Sequence, residues 1–104
     1  MPMALWKPDL IVELTLLPSA SGGRAGPTPS AWFGCPVSIS GEYLDARFDL
    51  TTVGGVALGQ AIQVPLKFIF PEFAMPQITV GQVLTLYAGR IIGHARVISV
   101  HAGA

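Results

Sequence analysis

Large apolar residues alternate with polar or small residues along several short stretches of the chain. From residue 62 every second position is large and apolar, namely Ile62, Val64, Leu66, Phe68 and Phe70. A period of two is typical of a strand with one buried face, whereas a helix would repeat about every 3.6 residues. Residues 9–17 show the same period, with Leu10, Val12, Leu14 and Leu16 on one face. Each stretch is predicted to be a β-strand.

The clearest separation of inner and outer positions lies in residues 42–52. The apolar set is Leu44, Ala46, Phe48 and Leu50, and the polar set that alternates with it is Asp45, Arg47 and Asp49. One face is therefore expected in the core and the other in water. Residues 37–40 form a further candidate strand before Gly41, and residues 82–88 and 91–100 are two more, separated by Gly89-Arg90 as in a hairpin.

Six or seven short strands with no helical pattern of any length predict an all-β barrel or sandwich. We place an N-terminal arm at residues 1–8, a single domain at 9–100 and a C-terminal tail at 101–104. The longest connection is predicted at residues 18–34, which are rich in Ser, Gly, Pro and Ala. Such length inside a compact domain is unusual. Pro65 predicts an edge position or a bulge for its strand.

Composition narrows the possible partners. The chain has 104 residues, of which 51% are hydrophobic and 12% charged, and its formal net charge is zero. Ordinary domains carry about 25% charged residues, so the surface is expected to be unusually neutral. The charge balance does not indicate binding to nucleic acid or to an anionic membrane. The first residues lack the pattern of a signal peptide and no apolar run reaches the length of a membrane span, so we expect a cytoplasmic protein without a membrane partner.

The sequence offers no complete motif for catalysis or for binding a cofactor. The phosphate-binding pattern Gly-x-x-x-x-Gly-Lys-Ser/Thr does not occur, so no nucleotide is expected. Asp45 or Asp49 could join His94 and a serine in a triad, but the Gly-x-Ser-x-Gly elbow is missing. Two histidines and the single Cys35 are too few for a metal site. We predict a non-enzymatic chain with no catalytic residue, no metal and no cofactor, in which Cys35 is a small core or rim residue.

Two pairs of side chains are candidate partner-binding residues. Trp32 and Phe33 close the long connection, where they form either a lid on one end of the barrel or an exposed aromatic anchor. His94 and Arg96 alternate along one strand with Ile92 and Ile98, so both should point to one face. That face is either a solvated or partner-facing stripe or the site of a buried ion pair with Asp45 or Asp49.

A possible contact with an anion or RNA involves four further residues, Gly22, Gly23, Arg24 and Arg90. The segment Gly22-Gly23-Arg24 is either a tight turn that uses positive φ angles or a nest of backbone N–H groups beside an arginine. The first alternative is purely structural, and the second would bind an anion.

Four short motifs in a fixed order resemble the C-terminal, or third, β-barrel domain of elongation factor Tu. They are Gly22-Gly23-Arg24 followed by proline, the strand that starts after Gly59-Gln60, the bend from Phe70-Pro71 to Ala74-Met75, and the hairpin Gly89-Arg90-Ile91-Ile92-Gly93 with its valine-rich end. The resemblance spans roughly residues 9–100. It implies an antiparallel six-stranded Greek-key barrel that lacks the nucleotide-binding domain of the family.

In that family the third domain contacts aminoacyl-tRNA and the nucleotide exchange factor. The family's Arg-Pro-Gln stretch is replaced here by Gly34-Cys35-Pro36-Val37, which lacks both the arginine and the glutamine. We therefore expect a stand-alone protein-interaction module with a protein partner or a second copy of the chain, most simply a two-fold dimer. The alternative is an RNA-binding module related to translation.

Overall fold

A closed barrel of six antiparallel strands forms the molecule in the computed structural model, which describes residues 8–18, 32–51 and 58–101. The strands are β1 (Leu10–Leu16), β2 (Trp32–Ile39), β3 (Glu42–Asp49), β4 (Ala61–Phe68), β5 (Val83–Tyr87) and β6 (Ile91–Val100). Residues 1–7 of the predicted arm 1–8 and residues 102–104 of the predicted tail 101–104 lie outside the described residues. The predicted all-β class and six-stranded barrel are confirmed.

The strand order around the barrel is β1-β4-β3-β2-β5-β6, with β6 returning to β1. Strands β2, β3 and β4 are consecutive neighbours, and β1 lies beside β4 after a long connection to β2. This is the Greek-key arrangement. Closure leaves β1 paired with β4 on one side and with β6 on the other.

The core sits inside the barrel and follows the alternation in the sequence. Leu10, Val12, Leu14 and Leu16 of β1 are fully buried, and the intervening residues are half-buried on the outside. The other strands contribute Phe33, Cys35, Val37, Ile39, Ala46, Phe48, Val64, Leu66, Phe68, Leu84, Leu86, Ala95 and Val97. The expected core position of Cys35 is confirmed.

Strand β2 begins at Trp32, five residues before the predicted start at residue 37. Residues 32–34 therefore belong to a strand, and the predicted connection 18–34 is wrong at its C-terminal end. Gly34 and Pro36 are unusual inside a strand, and both occupy outward positions between buried Phe33, Cys35 and Val37. The β2–β5 ladder contains only Val37–Leu86 and Ser38–Thr85, so Pro36 lies immediately outside it.

The prediction that Pro65 marks an edge or a bulge is also wrong, because β4 lies between β1 and β3 without a register shift in either ladder. The Leu66 carbonyl accepts a hydrogen bond from the Asp9 N–H on the β1 side at 2.9 Å. Neighbouring residues of a strand direct their backbone groups to opposite sides, so Pro65 faces β3. The β3–β4 ladder ends at Phe48–Leu66, so the missing N–H costs no pair.

One short helix, α1 (Pro71–Ala74), and a following 3₁₀ turn (Met75–Gln77) cover one end of the barrel. Neither was predicted, since four residues are too few to show a helical period. Ala74 and Ile78 from this segment are buried against the core. The predicted hairpin at Gly89-Arg90 is confirmed: β5 and β6 pair in antiparallel fashion, and Gly89 has a φ of 78°.

Two irregularities interrupt β6. The β5–β6 register passes from Leu86–Gly93 to Tyr87–Ile91, which leaves Ile92 as an extra residue, and the β1–β6 register skips Ile98 in the same way. Such bulges shift the inward and outward phase of a strand. Ile92 is accordingly buried although His94, two residues later, is exposed. The predicted regular alternation of His94 and Arg96 with Ile92 and Ile98 is therefore wrong at Ile92.

Candidate interaction surface

Trp32 and Phe33 are neighbours in β2, and their side chains point to opposite faces of the strand. The side chain of Phe33 is 8% exposed and its ring packs against Phe48 with centroids 5.8 Å apart. Trp32 is 42% exposed and lies on the outer face opposite Asp49. An aromatic contact to a partner is therefore open to Trp32, whereas Phe33 belongs to the core.

His94 and Arg96 both point outward from β6, as predicted. The Arg96 guanidinium lies 3.2 Å from the Glu13 carboxylate on β1, and both side chains are substantially exposed. The alternative of a buried ion pair with Asp45 or Asp49 is wrong, because β2 and β5 separate β3 from β6. The same separation keeps His94 apart from both aspartates, so the triad considered from the sequence does not assemble.

The four residues proposed for an anion or RNA contact are only partly covered by the structure. Gly22, Gly23 and Arg24 lie outside the described residues. Arg90 is exposed in the β5–β6 hairpin, and its carbonyl accepts a hydrogen bond from the Ala88 N–H at 2.9 Å. This hairpin and Trp32 lie at the same end of the barrel, because β2 starts where antiparallel β5 ends.

Charged residues are sparse in the described part of the chain. The basic residues are Arg47, Lys67, Arg90 and Arg96, and the acidic residues are Asp9, Glu13, Glu42, Asp45, Asp49 and Glu72, of which Asp9 and Asp49 are buried. Arg96 pairs with Glu13, and the Lys67 Nζ lies 3.9 Å from an Asp9 carboxylate oxygen. These cations are thus partly neutralised by acids on neighbouring strands, and the described strands present no extended basic stripe.

Large apolar side chains are exposed over much of the described surface. They are Trp32, Tyr43, Ile69, Phe70, Phe73, Val80, Val83, Tyr87, Ile91 and Val100. Two aromatic contacts occur within this set: Tyr43 and Tyr87 have ring centroids 5.2 Å apart, and Phe70 and Phe73 have centroids 6.3 Å apart. Adjacent exposed apolar side chains, such as these two aromatic pairs, are typical of contact sites in soluble domains.

A hollow of about 340 Å³ lies on the outer face where β2 meets β3. Its lining is Gly34, Cys35, Pro36, Asp45, Ala46, Arg47 and Ile69. A Cβ atom placed on Gly34 would meet nothing within 4 Å, so the missing side chain opens this space. The hollow was not predicted, because Gly34 was placed in the connection 18–34 and not in a strand.

Two buried carboxylates were also missed. Asp9, just before β1, accepts a hydrogen bond from the Phe68 N–H at 2.9 Å, and its backbone carbonyl accepts one from the His101 N–H at 2.8 Å. Asp49 is 2% exposed and accepts hydrogen bonds from the Thr51 N–H and hydroxyl. Asp49 was expected on the wet face of β3, and that expectation is wrong. Both carboxylates hold strand ends in place.

Among the residues that the structure describes, no group of three or more His, Cys, Asp and Glu side chains is arranged to hold a metal ion. No helix in the described ranges has the length and apolar character needed to cross a membrane. Comparison of the chain with models of protein families and with curated proteins finds no match to either.

Proposed function

We propose that this chain is a non-catalytic binding module that acts through protein–protein contacts in the cytoplasm. The observation that carries the proposal is the set of ten large apolar side chains exposed on the described surface, five of them aromatic. Tyrosine, tryptophan and phenylalanine are enriched in the cores of protein interfaces, where charged residues are depleted. The low charge of the chain agrees with that composition.

The proposed partner is a second copy of the chain in a two-fold dimer. The resemblance to the third domain of elongation factor Tu supports this choice, since that domain is covered in part by two further domains of the factor. The apolar side chains exposed on this barrel need a cover in the same way. A second copy supplies one without requiring another gene product, and two-fold dimers are the commonest soluble assemblies.

Sedimentation velocity over a range of protein concentrations tests this function. We expect the sedimentation coefficient to rise with concentration to that of a dimer, and we expect Trp32→Ala to move the transition to higher concentration. A sedimentation coefficient of a monomer at high micromolar concentration would contradict self-association. Ser40→Ala, at the exposed β2–β3 turn, is a control that leaves the outer aromatic residues unchanged.

The second candidate is RNA binding, favoured by the exposed Arg90 in the β5–β6 hairpin. Arg90 has no carboxylate within ion-pair distance among the described residues. Phosphate contacts release counterions, so the affinity for RNA would fall steeply with the logarithm of salt concentration. A binding affinity that does not change with salt concentration would favour the protein contact instead.

A further inference from the structure

The outer face formed by β2, β3 and the end of β4 is complementary to a second copy of itself whose strands run in the opposite direction. We infer that this face binds the same face of a second copy about a two-fold axis that crosses β3 at Ala46, perpendicular to the strand. The inference rests on the proposed self-association and assigns the surface that mediates it. Three neighbouring rows of residues support it.

The first row consists of opposite charges on β3. Asp45 and Arg47 are both exposed, on either side of the buried Ala46. Side chains two residues apart on a strand are separated by about 6.6 Å. Rotation about the proposed axis reverses the strand and sets Asp45 opposite Arg47 of the second copy, and the symmetric contact forms at the same time. Residues of one interface in a two-fold dimer always meet in this reciprocal way.

The second row is the hollow on β2. Gly34 is paired with Arg47 and Pro36 with Asp45 in the β2–β3 ladder. The same rotation therefore places Pro36 over Gly34 of the second copy. Gly34 leaves open space, whereas Pro36 offers a compact apolar ring on the neighbouring outward position. Each copy thus presents one apolar ring and, at the matching position, one residue without a side chain.

The third row is at the end of β4. Ile69 donates its N–H to the Asp45 carbonyl at 3.1 Å, and Lys67 is paired with Arg47. Rotation sets the exposed Ile69 against Lys67 of the second copy. The aliphatic stem of a lysine can cover an apolar side chain while its ammonium group stays in water. Charge, shape and apolar contact therefore agree on the same axis.

Reversal of charge provides the test because it exploits the reciprocity of the contact. In a dimer of Asp45→Arg, positions 45 and 47 are positive in both copies, and in a dimer of Arg47→Asp they are negative in both copies. Like charges then face each other, so each variant should self-associate at least about tenfold more weakly than the original chain. A mixture of the two variants restores both opposite-charge contacts and should form a heterodimer. Glu72→Arg and Arg90→Asp change the net charge by the same amounts outside these rows and serve as matched controls.

Gly34→Leu tests the shape of the contact independently of charge. The leucine side chain would occupy the hollow without a clash inside the barrel. The circular dichroism spectrum and the melting temperature should therefore stay unchanged while dimerisation is lost. If the original chain is a dimer and all three variants dimerise equally well, the chain self-associates through a different surface and this inference is wrong. If the original chain is a monomer, the proposed function fails first. Loss of dimerisation in the single variants with recovery in the mixture supports the inference.

Discussion

Gly93 lies at a close approach between β6 and β1. A Cβ atom at this position would lie 2.5 Å from the Thr15 carbonyl oxygen and 3.3 Å from the Leu16 Cα. Both are backbone atoms of a strand fixed on two sides, so they cannot move aside easily. We expect Gly93→Ala to lower the free energy of unfolding by about 1–3 kcal/mol, the usual cost of overpacking. Thermal melting followed by circular dichroism measures this change.

Gly34→Ala is the matched control for that substitution. Gly34 is also a strand glycine, but its added methyl group would meet nothing within 4 Å. Replacement of glycine by alanine in a compatible conformation stabilises a protein by about 0.4–1 kcal/mol through the unfolded chain. Equal destabilisation by the two substitutions would contradict the close approach at Gly93.

Asp9 joins three strands through its backbone and its carboxylate. The carboxylate accepts the Phe68 N–H, which extends beyond the β1–β4 ladder and has no strand partner there. Asp9→Ala leaves this buried N–H unsatisfied, which should cost about 1–3 kcal/mol. Asp9→Asn keeps an acceptor oxygen and should retain most of the stability. Urea denaturation of both variants gives the comparison, and equal losses would argue against the hydrogen bond as the cause.

Phe33 and Trp32 should respond differently to truncation, although they are adjacent in sequence. Phe33→Ala empties a core site beside Phe48, and such changes cost about 3–5 kcal/mol. Trp32→Ala removes a ring that is 42% exposed and should lower the melting temperature less than Phe33→Ala does, while weakening self-association. A large loss of stability from Trp32→Ala would assign Trp32 to the fold instead of the partner surface.

At the scale of elements, the strands are held unequally. β1 pairs along its length with both β4 and β6 and buries one complete face, whereas β2 and β5 share only two pairs. Regions with few paired and buried groups open at lower free energy. We expect the amides of β1 that are hydrogen-bonded to β4 and β6 to exchange hydrogen slowest, and those of β5 fastest among the strands. Native-state exchange by NMR measures this order, and uniform protection of all six strands would contradict it.

The elements that could be predicted from the sequence are those with a local signature. β1, β3, β4 and the β5–β6 hairpin follow from alternation and from a glycine-containing break, because both depend on neighbouring residues alone. The early start of β2 could not be predicted, since Gly34 and Pro36 resemble turn residues until β3 is placed beside them. The burial of Asp49 and the hollow at Gly34 depend on contacts between strands, which no period within one segment reveals.

For the whole molecule, we predict no measurable affinity for GTP or GDP. The chain lacks the glycine-lysine loop that surrounds phosphates. Isothermal calorimetry with either nucleotide in the presence of magnesium should show no heat of binding. Micromolar affinity would contradict the resemblance to a domain that works apart from a nucleotide site.

The hydrogen bond between the His101 N–H and the Asp9 carbonyl joins the residue before β1 to the residue after β6, so the first and last strands of the barrel domain begin and end side by side. Adjacent ends allow a domain to be circularly permuted or inserted into another chain. A peptide linker that joins residue 101 to residue 9 and new termini at the exposed Ser40-Gly41 turn would leave every strand pair intact. The order in which the strands leave the ribosome would change, with β3 first and β2 last, while the barrel they form would be the same.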